Sequence, residues 1–191
     1  INVLTARQRA TNAHGDGEDA SVVKIAGCDV NDISTLTARS RAIGVCPQNL
    51  MCFTELSLAD NVRIVGRLRG LSDKQVEDDM RELVVALGFV DEHETGDVLQ
   101  HASINRPVGK FSGGMARRLQ ILLALLGSPP VVFLDEPSTG IDPANRRRTW
   151  ALLEKWKKKC CIILTTHDME EADVLADKIY VLSHGEMQET G

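Results

Sequence analysis

The chain has 191 residues, with 22 Lys+Arg against 27 Asp+Glu for a net charge of −5, and 43% of it is apolar. That length and balance fit one compact soluble domain. The acidic excess lacks the basic surplus that holds a phosphate backbone, so no nucleic-acid partner is expected.

Ile1 to Leu4 reads as the tail of a helix. With neither a start Met nor a signal-type opening, Ile1 is expected to be a cut end inside a longer protein. Arg7 to Ala20, holding Gly15 and Gly17, reads as a polar loop to which no function is assigned. Val22 to Ala26 and Ala42 to Cys46 are short strand-like runs, the second stopping at Pro47-Gln48. From Ser57 to Gly88 the period turns helical: Leu58, Val62, Val65 and Leu68 share one face, and Val76, Met80, Leu83, Val84 and Leu87 share another. Ser72 with Gln75 forms a capping box, and Gly88 stands where the second helix needs its C′ residue.

Gly113-Gly114 leads into Met115 to Leu126, a buried helix stopped by Ser128-Pro129-Pro130. Its longest apolar run, Leu119 to Leu126, is broken by Gln120 and falls short of the roughly 20 residues that cross a bilayer. Val131 to Leu134 is a strand covered on both faces. Asp142-Pro143 caps a helix carrying Trp150, Leu153 and Trp156. Cys161 to Leu164 is a second continuous apolar strand, Asp168 with Glu171 caps another helix, and Ile179 to Leu182 is a further strand. Strands alternating with helices predict a parallel sheet covered by helices, with a helical insertion from Ser57 to about Lys110. The five cysteines include no C-x-x-C pair, so they read as reduced thiols.

Ligands of such sheets gather at the carboxyl ends of parallel strands. There the strands deliver Gln48, the pair Asp135 and Glu136, and His167: an amide, two carboxylates and an imidazole, suited to a phosphate, a divalent ion and an attacking water. Each alone reads more often as a turn or cap residue; their joint placement is what points to chemistry. Ser112-Gly113-Gly114 at a helix start exposes N–H groups without a Cβ in the way, an anion cradle or a plain turn.

Gln48, Phe111 to Met115, Val131 to Pro137, Ser138 to Pro143 and Thr165 to Asp168 follow one another in the order of the ATP-binding cassette (ABC) ATPases, and the chain resembles the nucleotide-binding domain of an ABC transporter from about Ala42 onward. Ile43 to Gln48, Gly113 to Leu119 and Glu170 to Asp177 are similar to subfamily A, the lipid-transporter group. The resemblance implies a P-loop NTPase-like α/β fold: residues 1–54 and 116–191 form a RecA-like core, and residues 55–115 form a helical unit ending in the signature motif. It implies ATP and Mg²⁺ as ligands. Asp135 then holds Mg²⁺ with Gln48, which also signals to membrane domains; Glu136 activates or orients water, and His167 contacts the γ-phosphate. Ser112, Gly113 and Gly114 bind the γ-phosphate of ATP held by an opposite cassette, and Asp142 links the two sites. The implied partners are a second cassette, head to tail in the same long polypeptide, and transmembrane domains; the implied place is the cytoplasmic face of a membrane.

One motif departs from the family. G-x-x-x-x-G-K-[ST] occurs nowhere: Gly109-Lys110 is followed by Phe111, and Ile104 stands at the required upstream glycine. The chain is expected to begin just after that P-loop, without the first strands, and to be inactive alone. Two further readings stand beside the exporter motor: a soluble ABC ATPase of translation or DNA repair, and a degenerate cassette that only supports a partner.

Overall fold

The computed structural model describes residues 24–25, 27–29, 40–183 and 186–190; the expected segments 1–4 and 7–20 lie outside them. Three strands form a parallel sheet in the order β3-β4-β5: β3 is Ile43–Cys46, β4 is Val131–Asp135 and β5 is Cys161–Thr165. Val132 pairs with Gly44 on one side and Ile162 on the other, so all three strands run level, and Asp135 stands opposite Thr165 where the sheet ends.

Between β3 and β4 come α1 (Leu58–Leu68), α2 (Asp73–Ala86), α3 (Ala102–Asn105) and α4 (Gly113–Leu125). The first two begin with complete capping boxes, Ser57 with Asp60 and Ser72 with Gln75. At the end of α2, Gly88 has φ +69, with its N–H on Val85 O and the Phe89 N–H on Val84 O. This is the glycine-led closure expected there.

One apolar core joins α1 and α2 to α4, the inner face of the sheet and α5 (Pro143–Trp156). All five apolar positions expected on α2 are buried, as are Trp150, Leu153 and Trp156. Leu68 is a correction: it is exposed, because α1 meets α2 at Gly66, where a Cβ would strike the Val76 side chain. Gly44 plays the same part under α4, since a Cβ there would run into the Ala124 carbonyl.

Three other expectations change. β5 is not covered throughout: Cys161 and Ile163 are exposed while Ile162 and Leu164 pack on the core. β1 (Lys24–Ile25) and β2 (Cys28–Asp29) are an antiparallel pair. After α6 (Met169–Leu175), β6 (Tyr180–Ser183) pairs antiparallel with β7 (Glu186–Thr190) in a sheet of its own. Among the described residues, no helix is long and apolar enough to cross a membrane.

Candidate functional site

The carboxyl ends of β4 and β5 bring three predicted residues together. Asp135 closes β4, and its carboxylate accepts a hydrogen bond from the Thr165 hydroxyl. Glu136 follows in a left-handed backbone, φ +49, a conformation that costs a non-glycine residue roughly 1–3 kcal/mol and collects at functional sites. Backbone bonds hold it there, its N–H on Thr165 O at 2.9 Å and its carbonyl accepting from the Thr139 N–H at 3.2 Å. The turn carries the Glu136 carboxylate toward His167, whose Nδ1 lies 3.0 Å from Oε1. Thr139 Oγ1 donates to Oε2, also at 3.0 Å. The bonds from His167 and then Thr139 hold the Glu136 carboxyl below its ordinary value, so it stays ionised. The imidazole itself is largely in solvent, with a side-chain exposure of 75%.

Gln48 joins this group through its backbone. Its side chain is exposed, and its carbonyl accepts from Arg117 at 3.3 Å. The same guanidinium donates to Glu136 O, 2.8 Å from Nη2, and to Asp135 O.

Ser112, Gly113 and Gly114 open α4. The Ser112 hydroxyl accepts from the Met115 N–H at 3.2 Å, and the two glycines have different reasons to be there. A Cβ on Gly114 would stand 2.7 Å from Gly140 O, whereas one on Gly113 would meet nothing within 4 Å. The Ser112 turn therefore packs against the loop before Asp142 while leaving one glycine facing open space. Asp142 caps α5, accepting from the Asn145 side chain at 2.8 Å and its N–H at 3.1 Å. Those bonds hold the Asp142 carboxyl below its ordinary value.

Asp168 caps α6, accepting from the N–H groups of Glu170 and Glu171, but Glu171 does not complete the expected cap. It is 1% exposed and accepts from Ser138 Oγ and from Trp150 Nε1 at 3.2 Å. A buried carboxylate thus pins the loop after Glu136 to α5 and α6. The sequence signal for it was an acidic residue one helical turn past His167 facing a tryptophan-bearing helix. Of the cysteines, Cys46, Cys52, Cys160 and Cys161 are free thiols. Burial pushes the Cys46 thiol up to about 12 and the Cys52 thiol up to about 11, which makes both poor nucleophiles.

The family model described as ABC transporter matches residues 8–139. This chain belongs to the ABC transporter family. It is 39% identical over 195 residues to ABC transporter A family member 5 of Arabidopsis thaliana, covering 100% of this chain and 18% of that protein. It is 38% identical over 191 residues to A family member 4 of the same plant, with the same coverages. The chain thus spans 18% of the length of these relatives. Among solved structures, the dimeric post-hydrolysis ATP-binding cassette MJ0796 bound to ADP and Pi superposes with a TM-score of 0.79 at 21% identity, covering 100% of this chain and 77% of that one. The ATP-binding subunit of another ABC transporter gives 0.73 at 24% identity, with coverages of 86% and 64%. The fold is therefore the P-loop NTPase type of the ABC cassette, with a parallel sheet flanked by helices.

Proposed function

We propose that the chain is the ATP-binding and ATP-hydrolysing cassette of an A-family membrane transporter, in which ATP closes a head-to-tail pair of cassettes and hydrolysis reopens it. The observation that carries this reading is the Glu136–His167 contact of 3.0 Å beside Asp135 at the level ends of two parallel strands. Glu136 orients the attacking water. Because its carboxyl is held ionised and weakly basic, it works by position and charge more than by proton affinity. His167 contacts the γ-phosphate.

Asp135, the Thr165 hydroxyl and the Gln48 amide are hard oxygen donors. They fit Mg²⁺, which takes one or two carboxylates with phosphate and water oxygens rather than an all-protein cage. When bound, the ion neutralises phosphate charge; Asp135 and Gln48 are the residues that hold it here.

Ser112, Gly113 and Gly114 bind the γ-phosphate of the opposite cassette, a role supported by the open space over Gly113 and by the free N–H groups of a helix start. Asp142 connects the paired sites. The dimeric form named for MJ0796 supports a second cassette as partner. Exposed Leu50, Met51 and Phe53, just after Gln48, suit docking of membrane domains. Residues 55–115 act as the helical unit of the cassette, a lipid-like substrate follows from the A-family resemblance, and the cytoplasmic face of a membrane is the place of action. A soluble ATPase of translation or repair is disfavoured by the A-family transporter relatives, and a degenerate cassette by the presence of Asp135, Glu136 and His167.

The 191 residues hold no P-loop motif, so the isolated chain binds ATP weakly and turns it over negligibly. The deciding experiment places Glu136→Gln in the intact transporter and follows ATP turnover and closure of the cassette pair. A trapped, ATP-bound closed pair is expected; wild-type turnover defeats the assignment.

A further inference from the structure

We propose that Arg117 is a positioning residue that locks the backbone of the Gln48 loop to that of Asp135 and Glu136, so that a shift of the loop is delivered to the hydrolytic carboxylates. The inference rests on the roles proposed above for Gln48 and Glu136. Arg117 lies one turn into α4 and is only 6% exposed. A guanidinium is not buried there for packing alone, because taking a charge out of water is costly unless every face of it is used.

Its donors are used on two sides. Nη1 donates to Pro47 O at 2.5 Å and to Gln48 O at 3.3 Å. Nη2 donates to Asp135 O and, at 2.8 Å, to Glu136 O, while Nε reaches Glu136 O at 3.2 Å. Gln120 extends the grip: its Oε1 accepts from Arg117 at 3.3 Å, and its Nε2 donates to Asn49 O at 2.6 Å. Three successive carbonyls of the loop, 47 to 49, are thus held from α4, and the same planar fork holds the carbonyls of both site carboxylates. Only arginine offers five donors in a fixed plane wide enough for two strands; a lysine ammonium is a single point. Glu136 also has φ +49, so its carbonyl direction, and with it the aim of its side chain, depends on what holds that carbonyl.

The test is made in the intact transporter. Arg117→Met should raise amide exchange in residues 48–54 and 136–140 together, by roughly 10-fold, while protection across α2 stays unchanged. It should lower kcat on the order of 10-fold to 10²-fold with KM for ATP little changed, since misplacement rather than binding is affected. Arg117→Lys, which keeps the charge and loses the fork, should loosen at least one of the two segments. Loosening of a single segment by Arg117→Met overturns the linkage, and so does an unchanged kcat where Glu136→Gln abolishes turnover. If Glu136→Gln itself leaves turnover intact, the assignment of Glu136 falls instead, and the paired exchange response alone decides the role of Arg117. Should Arg117→Met not accumulate in folded form, Arg117→Lys decides: unchanged exchange in both segments overturns the proposal.

Discussion

His167 Nδ1 meets Glu136 Oε1 at 3.0 Å because β4 and β5 end level, Asp135 opposite Thr165, which sets the two residues one and two positions beyond the sheet. Neither side chain needs a long reach, and Thr139 takes the other carboxylate oxygen. Replacing His167 with Ala in the intact transporter removes the stronger of the two constraints and should lower turnover on the order of 10²-fold or more. Wild-type kcat in that variant would show that the contact is incidental.

The pairing also sets a direction for pH. Glu136 is held below its ordinary value in the folded chain by hydrogen bonds from His167 and then Thr139. Its contribution to stability is therefore complete above the unfolded carboxyl value and fades as pH falls through the lower, folded one. Denaturant midpoints of wild type and Glu136→Gln in the intact transporter should differ near neutrality and converge in acid. A gap that persists unchanged into acid rules the linkage out.

Glu171 gives a sharper stability test. Changing it to Leu strands the Ser138 hydroxyl in a buried site and leaves the Trp150 indole N–H with Ser138 Oγ, 2.9 Å away, as its acceptor, at about 1–3 kcal/mol for the hydroxyl left without an acceptor. Glu171→Gln keeps an acceptor oxygen and should be milder. Equal midpoints for the two variants in urea unfolding would mean that the carboxylate is not the anchor it is taken for.

The two signature glycines should separate stability from activity. Gly114→Ala forces a Cβ to 2.7 Å from Gly140 O and should cost about 1–3 kcal/mol by overpacking. Gly113→Ala meets open space and should stay within about 0.5 kcal/mol of wild type, yet lower ATP turnover in the paired cassettes. Calorimetry and an ATPase assay on both variants check this; a stable Gly113→Ala transporter with full turnover removes the proposed phosphate contact.

Much of this arrangement was legible in the residues. Continuous apolar runs gave β4 and β5 as strands of a parallel sheet, though not their order, and proline and glycine punctuation fixed the ends of α2, α4 and α5. What stayed hidden depended on partners remote in the chain. Periodicity places Leu68 on the face of Leu58, but cannot say that Gly66, by lacking a side chain, draws α2 to the opposite flank. Glu171 fits a capping box by spacing, and only the packing of Trp150 recruits it elsewhere. Arg117 and Arg118 interrupt an otherwise apolar helix, and two charges there announce buried partners without naming them. They diverge: Arg117 turns to the site, while Arg118 donates to the Leu87 and Gly88 carbonyls that close α2 and stacks 4.8 Å from the Phe89 ring.

Gly44 has a mechanical corollary. With no side chain between them, the middle of β3 and the last turn of α4 touch main chain to main chain, and such an interface has no spare volume to shear through. The strand leading to Gln48 and the helix tipped by Ser112 must then travel as a single lever, so a tug on the Gln48 loop and a displacement of the Ser112 turn are the same movement seen from its two ends.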